Sequence, residues 1–364
     1  YETYSNNCIH KCLKMAAPKV FVTNFNKNFT GVSATAAAVV ALQKDQINID
    51  LVGVRLPNCP EPISSKKAIE MYSKNLKETG LSIWHVRRNQ EMRTAIWVRD
   101  ILKKPIKIVF TSAAQRRHSL YPRWLISKMD AVIATTVEAA SFLENVSTVV
   151  PHGVLTQKFM PAQNRSKVWS SLGYGGNFGV ACVGRIRPEK GTDIFIETML
   201  EILPHQPEMV ALVIGKATRK HYKYKQDLLD KIEATGLSDR ILFIGELDAS
   251  RMPEIMSAIS LLIALPRYEG YGITPLEALS CGTPFVGSAT GYFSAFSANE
   301  KYGSIVDLED VAGAVRAVKS WLSKNDQLDT FMKEARKFII HNHSVEQEVI
   351  GIHKVYQSLL DRPL

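Results

Sequence analysis

The chain has 364 residues, 46% of them hydrophobic and 22% charged, with a formal net charge of +10. That is enough for two cores of ordinary size, and the composition excludes a disordered or fibrous chain. No run of about 18 or more apolar residues occurs, which excludes a membrane-spanning helix. No apolar leader core precedes the first strand, so no secretory signal is expected. The five cysteines are scattered and odd in number, which fits a reducing, cytoplasmic compartment.

Residues 1–14 read as an N-terminal extension, with Met15 a natural start just before the first strand. Cys8-Ile-His10-Lys-Cys12 supplies half the ligands of a metal site and has no second pair nearby, so no metal is expected there. From residue 15 the pattern alternates. Strands are predicted over 19–23, 49–54, 81–86, 106–110, 131–134 and 148–150, and helices near 34–44, 66–78, 91–102, 121–128 and 137–143. The strands are continuous apolar runs, so helices must cover both faces of the sheet. This is a doubly wound parallel sheet, α/β in class.

The net charge is concentrated in this half. Between Trp84 and Asp130 stand eleven lysines and arginines against three carboxylates, a net +8. Such a segment attracts anionic partners; the plain reading is a solvated helix face. Arg87-Arg88 and Arg116-Arg117 follow predicted strands, where ligand loops lie in open α/β sheets, and this favours binding. Arg99, Lys103 and Lys104 fall on the helix between, where an anionic membrane surface is the expected partner.

Pro151-His-Gly-Val and the polar stretch through Pro161-Ala-Gln-Asn-Arg mark the boundary between domains over 15–155 and 156–344. The second half repeats the scheme, with strands over 178–183, 210–214, 241–244, 261–265 and 284–286 and a helix over 193–203. Gly173-Tyr-Gly-Gly-Asn-Phe-Gly looks like a dinucleotide loop but precedes its strand, so that reading is rejected. After Val306 only helices are predicted, near 310–322, 327–340 and 345–360. No repeat or low-complexity tract is seen.

Two loops of this half carry the chemistry. After strand 178–183 comes Gly184-Arg-Ile-Arg-Pro-Glu-Lys190-Gly, where Arg185 can grip phosphate oxygens bidentately and Lys190 adds a point charge. After strand 261–265 comes a loop with Glu269 and Gly272, then a helix starting at Thr274-Pro275, which carries Glu277 in its first turn and stops at Gly282. The amides around Gly272, Ile273 and Thr274 offer an anion cradle, and the two carboxylates suit sugar hydroxyls. Glu277 also reads as the partner of Thr274 in a capping box, and Glu269 alone as a solvated loop residue.

The pattern Glu269-x-Tyr-Gly-x-x-x-x-Glu277 after a buried strand resembles the signature of retaining glycosyltransferases of family 4. Gly184-Arg185-x-x-x-x-Lys190-Gly resembles that family's phosphate loop, Pro151-His-Gly153-Val its interdomain loop, and Phe29-Thr-Gly31-Val its first glycine loop. The resemblance covers nearly the whole chain after Met15. It implies the GT-B architecture: two Rossmann-like domains facing across a cleft, with a final helix, 345–364, crossing back to the first. Two departures stand out. The glycine loop has one glycine where the family usually has two. Thr111-Ser-Ala-Ala-Gln-Arg-Arg-His118 stands where many members carry a histidine against the donor sugar. That stretch and Trp84-His-Val-Arg-Arg-Asn-Gln-Glu-Met are similar to the lipopolysaccharide-core mannosyltransferases of alphaproteobacteria.

The resemblance implies retaining transfer of mannose from GDP-mannose to the acidic sugar Kdo of a lipid-linked acceptor, without a metal or other cofactor. No Asp-x-Asp is found. Arg185 and Lys190 would meet charge on the departing diphosphate, Glu269 the donor-sugar hydroxyls and Glu277 the ribose, with Gly153, Gly272, Ile273 and Thr274 completing the donor site. Gly31, Arg87, Arg88, Arg116, Arg117 and His118 would face the acceptor. The expected setting is the inner face of the cytoplasmic membrane. The alternatives are another GT-B enzyme, such as a nucleotide-sugar epimerase or hydrolase, and a non-catalytic nucleotide-sugar sensor. A nucleic-acid-binding role lacks any recognised motif. Oligomeric state is open.

Overall fold

The fold is seen in a computed structural model that describes residues 19–28, 30–74, 81–324 and 328–361. The extension with Cys8, His10 and Cys12, the start at Met15, Phe29, the end of the helix expected over 66–78 and the first residue of that expected over 327–340 lie outside the described residues. The chain divides into two compact units. One runs up to Gly153 and resumes at Val345; the other is Val154–Ser344.

The first unit alternates β1 (Val20–Asn24), α1 (Gly31–Gln43), β2 (Ile49–Gly53), α2 (Ser65–Lys74), β3 (Ser82–Val86), α3 (Asn89–Ile96), β4 (Ile106–Ser112), α4 (Leu120–Ile126), β5 (Ala131–Ala134), α5 (Val137–Ser141) and β6 (Thr148–Val149). The helix expected over 91–102 is α3 continued by a π-turn, Trp97–Ile101. All strands are parallel, in the order β2-β1-β3-β4-β5-β6. Every residue of β1 and of β3 is buried, as two-sided coverage requires. Trp84 of β3 is wholly buried and packs on Phe21, ring centroids 5.8 Å apart; truncating it to alanine would cost about 3–5 kcal/mol.

The second unit holds α6 (Arg165–Leu172), β7 (Phe178–Val183), α7 (Thr192–Ile202), β8 (Met209–Ile214), α8 (Tyr222–Glu233), β9 (Ile241–Gly245), α9 (Met252–Ala258), β10 (Leu261–Ala264), α10 (Thr274–Ser280), β11 (Phe285–Ser288), α11 (Phe293–Ser297), β12 (Gly303–Val306), α12 (Val311–Leu322) and α13 (Leu328–Asn342). Its parallel order is β12-β11-β10-β7-β8-β9. β8 is buried at all six positions, and Ile194, Phe195, Met199 and Ile202 of α7 enter the same core. α14 (Val345–Leu360) belongs to the first unit and packs on α1.

Several elements escape the sequence pattern. β12 is a sixth strand where five were expected; it is short and holds the sheet only through β11. α8 buries only Leu228 and Ile232 in twelve residues, too little for a visible apolar stripe. The short α6, α9 and α11 were missed likewise. α10 ends as read: Gly282 adopts φ +68°, and Thr283 N–H donates to Ala278 O at 2.9 Å.

What matters for ligands is where strand order reverses, because loops diverge there and leave a crevice at the carboxyl ends of the strands. In the first sheet that point lies between β1 and β3, and in the second between β10 and β7.

Candidate functional site

In the second unit the loops after β7 and β10 leave from the two sides of this reversal. Lys190 ends the first loop and Glu269 lies on the second. Their side chains, each 22% exposed, form a direct ion pair. Glu269 is further fixed by the Gly270 N–H, which donates to Oε1 at 3.1 Å, while its own N–H donates to Thr290 Oγ1 at 3.2 Å. Arg185 is exposed and makes no ion pair among the described residues.

Glycine makes this convergence possible. Gly191 has φ +64°, and a Cβ there would lie 1.8 Å from Leu265 O, so the loop of Lys190 presses directly on the end of β10. Gly272 has φ +83°, and a Cβ would meet the Phe293 ring at 2.2 Å and Glu269 Cγ at 2.9 Å. Any side chain at Gly272 would therefore displace the catalytic candidate beside it.

A brace that the sequence reading missed holds the two loops together. Arg267 forks onto Asp193, Nη1 to Oδ1 at 2.9 Å and Nη2 to Oδ2 at 2.8 Å, and reaches Pro188 O and Glu309 Oε1 at 2.6 Å each. Tyr224 OH donates to Asp193 Oδ1 at 2.9 Å. Burial alone would push Asp193 up; the hydrogen bonds from Arg267 and Tyr224 outweigh it and hold the carboxylate below its ordinary pKa. The only sequence signal was the position of Arg267 in the Glu269 loop and of Asp193 three residues after Lys190.

The capping-box reading of Glu277 does not hold. Ile273 is the N-cap of α10 and makes no side-chain cap, and Thr274 is already helical. Glu277 N–H donates to Ile273 O at 3.1 Å, while its carboxylate takes no hydrogen bond among the described residues. The side chain is partly buried and strongly desolvated. Burial raises its pKa to about 7, against the opposing charge of Lys158. A desolvated carboxylate without donors is poised to accept hydroxyl groups.

The first unit gathers the other candidates at its own reversal and the neighbouring strand end. Gly31 opens α1 after β1, Arg87 and Arg88 follow β3, and Arg116, Arg117 and His118 follow β4. Both terminal nitrogens of Arg88 are occupied. It donates to Asn24 Oδ1 at 3.1 Å, Ser33 Oγ at 2.9 Å, Thr30 Oγ1 at 3.3 Å and Glu91 Oε1 at 3.0 Å. It ties the β1 and β3 loops together. Arg87 differs: it is 8% exposed, and its Nε and Nη1 have no partner among the described residues. Burial pulls its guanidinium below the ordinary pKa, opposed by Tyr356, Glu348 and Glu91. Arg116 and Arg117 are exposed, and Nε2 of His118 is buried without a partner among the described residues. Arg99, expected to face a membrane, is half-buried and held by Asp100 at 2.7 Å and Asp130 at 2.8 Å.

Gly153 is held by a partner the sequence reading did not find. Its N–H donates to Glu348 Oε2 at 2.8 Å, and Glu348 Oε1 lies 2.7 Å from His152 Nδ1. The Gly153 amide is thus already occupied by α14. Nearby, His85 links Tyr356 OH at 2.6 Å to Thr111 Oγ1 at 2.7 Å; burial, then Arg87 and His152, hold it well below the ordinary histidine pKa. No cluster of metal-ligating side chains is found among the described residues, and no described helix is long and apolar enough to cross a membrane.

Known proteins share this layout. The family profile described as glycosyl transferases group 1 matches residues 167–338, which include every second-unit candidate above. The chain is 35% identical to the lipopolysaccharide core biosynthesis mannosyltransferase LpsB of Rhizobium meliloti (strain 1021), over 94% of this chain and 98% of that protein. It is also 35% identical to the corresponding mannosyltransferase LpcC of Rhizobium leguminosarum bv. viciae, over 94% and 97%. Among solved structures, Anabaena Alr3699/HepE in complex with UDP and glucose has the same fold, with a TM-score of 0.77, 17% identity and coverage of 94% and 100%. The C-terminal domain of a group 1 family protein (LpcC) from Francisella tularensis matches at TM-score 0.51 and 27% identity, over 53% of this chain and 99% of that domain.

Proposed function

We propose that this chain, which belongs to the group 1 glycosyl transferases and is a glycosyltransferase of GT-B fold, moves mannose from GDP-mannose to an acidic sugar of the Kdo type in a lipopolysaccharide core. The observation that carries this reading is the ion pair of Lys190 with Glu269 at the strand-order reversal of the second sheet, with Arg185 exposed on the loop of Lys190 and Glu277 in the first turn of the helix that follows Glu269. The activity named for the two rhizobial relatives supports the mannosyl donor and the core acceptor.

In this reading Arg185 and Lys190 bind the diphosphate, and Lys190 shares its charge between phosphate and Glu269. Glu269 receives hydroxyls of the donor sugar, and Glu277 receives those of the ribose. The acceptor hydroxyl oxygen bonds to the anomeric carbon as the bond from that carbon to the diphosphate breaks, the hydroxyl proton passes to the departing diphosphate, and the cations stabilise its developing charge; such preorganised groups are each worth roughly 3 kcal/mol at the transition state. Transfer retains the anomeric configuration and needs no metal. On the acceptor side the unpaired Arg87, with Arg116, Arg117 and His118, suits a carboxylate, carried on a lipid at an anionic membrane surface.

The test is transfer by the purified chain from GDP-mannose to a short acidic acceptor, with the product's anomeric configuration read by NMR, with and without EDTA. A retained mannoside formed equally in EDTA is expected. Donor turnover that ignores the acceptor would replace this reading with hydrolysis, and loss of transfer in EDTA restored by Mg²⁺ would overturn the metal-free step.

A further inference from the structure

Seven of the fourteen exposed large apolar side chains among the described residues fall between 97 and 142, on three successive helices of the first unit. Trp97 and Ile101 stand on the π-turn that ends α3, Ile101 being 67% exposed. Leu120, Tyr121 and Trp124 stand on α4, with Leu120 81% exposed. The Tyr121 and Trp124 rings stack on one another, 6.2 Å between centroids and 19° between planes, so they form one slab. Val137 and Phe142 begin and follow α5.

These helices share a face. β3, β4, β5 and β6 adjoin in chain order, and right-handed crossovers between successive parallel strands place the intervening helices on the same side of the sheet. α3 packs on α4, and Arg123 of α4 pairs with Glu144 just beyond α5. Exposed apolar side chains gathered on adjacent helices of one sheet face, with the two stacked rings among them, point to an interaction surface.

The charges around it select the partner. Arg99, Lys107 and Arg123 are consumed in ion pairs, but Arg93, Lys103, Arg116, Arg117 and Lys128 are exposed and make no direct ion pair among the described residues, Lys103 and Lys128 acting only at longer range on Asp100. Arg93, Trp97 and Ile101 follow one another at four-residue spacing along one helical face. Aromatic rings at headgroup depth, aliphatic tips beyond them and unpaired cations at the rim are what an anionic bilayer interface binds.

We propose that the outer face of α3, α4 and α5 docks on an anionic lipid surface, with Trp97, Ile101, Leu120, Tyr121 and Trp124 entering the headgroup layer and Arg93, Lys103 and Lys128 contacting acidic headgroups. This rests on the reading of a lipid-linked acceptor and names the surface by which the chain reaches it.

The test is flotation of the full chain with phosphatidylcholine vesicles containing about 30% phosphatidylglycerol, at about 50 and about 500 mM NaCl. The wild type should partition at low salt, with a blue shift of the emission of Trp97 and Trp124. Tyr121→Ser with Trp124→Ser should lower partition about tenfold or more at either salt. Neutralising Lys103 and Lys128 should lower it ~5-fold per charge at low salt only. Each variant is also assayed on a soluble, lipid-free acceptor, where turnover should equal wild type. Wild type that stays off the vesicles, or a double serine variant that partitions like wild type, overturns the proposal while leaving the transfer reading to its own assay. So does a wild-type dimer that the serine variant dissociates, since the face would then be a protein interface. Absence of transfer alongside intact, aromatic-dependent partition would instead sink the transfer reading alone.

Discussion

Lys190 and Glu269, 79 residues apart in sequence, meet as an ion pair across the strand-order reversal of the second sheet. Both side chains remain partly exposed to solvent, which screens the pair, so it contributes about 1 kcal/mol or less to stability. Its value lies in placing a cation and a carboxylate side by side. Glu269→Gln and Lys190→Met should each cut kcat by about 10²–10³-fold while shifting Tm by only a few degrees. The double variant should be little worse than either single one, because the two act as a unit. Circular-dichroism melts and initial rates check this; a large loss of Tm with kcat near wild type would make the pair structural.

Glu277 gives a pH signature. Its folded pKa, about 7, lies above its ordinary value of 4.5 because burial disfavours the charged form. The folded state then holds a proton that the unfolded chain has released, so this group's stabilising contribution is full below the ordinary value and is lost as pH rises through about 7. Glu277→Gln should remove that slope, leaving a variant that loses less Tm than wild type between pH 5 and pH 8. At pH 8, where the carboxylate is ionised, its affinity for the nucleotide should fall about tenfold or more, since a charged acceptor is replaced by a neutral one. Equal slopes with equal affinity would leave Glu277 without a role in the site.

Arg267 should act at a distance from the chemistry. Arg267→Lys keeps the charge but cannot fork onto Asp193. The loops carrying Lys190 and Glu269 then lose their common brace, and both kcat and nucleotide affinity should fall, with a Tm lower by several degrees. Asp193→Asn should reproduce the effect. Unchanged kinetics in both variants would show that the loops converge without the brace.

How far the sequence revealed this site depends on distance along the chain. Glu269, Gly272 and Glu277 were legible because a buried strand, glycine turns and a proline-led helix follow one another within a few residues, each with its own local physics. The brace from Arg267 to Asp193 spans 74 residues and the clamp from Glu348 to His152 spans 196, and no local pattern announces either. Charge misled for the same reason. Arg88 and Arg99 read as cations awaiting ligands, yet each is held by partners from other elements, while Nε and Nη1 of Arg87, one residue away from Arg88, have no partner among the described residues. The apolar slab of α3, α4 and α5 was hidden because exposure is decided by packing. β12 and α8 were too short or too polar to carry a pattern.

Arg87 should trade stability for binding. An unpaired, buried guanidinium costs free energy in the ligand-free protein. Arg87→Met should therefore leave Tm equal or raise it by a few degrees, while the KM for an acidic acceptor rises about tenfold or more and the KM for donor stays near wild type. A lower Tm with unchanged KM would mean the side chain supports the β3 edge rather than the acceptor.

The most direct test of the account is a binding panel of nucleotide-sugars followed by turnover with the preferred donor. GDP-mannose should raise Tm more than GDP-glucose, UDP-glucose or ADP-glucose at equal concentration, because a specific ligand stabilises the folded chain by mass action. With an acidic acceptor present, the same donor should yield a mannoside of retained configuration. A larger shift with a UDP- or ADP-sugar, and transfer of that sugar instead, would contradict the assignment.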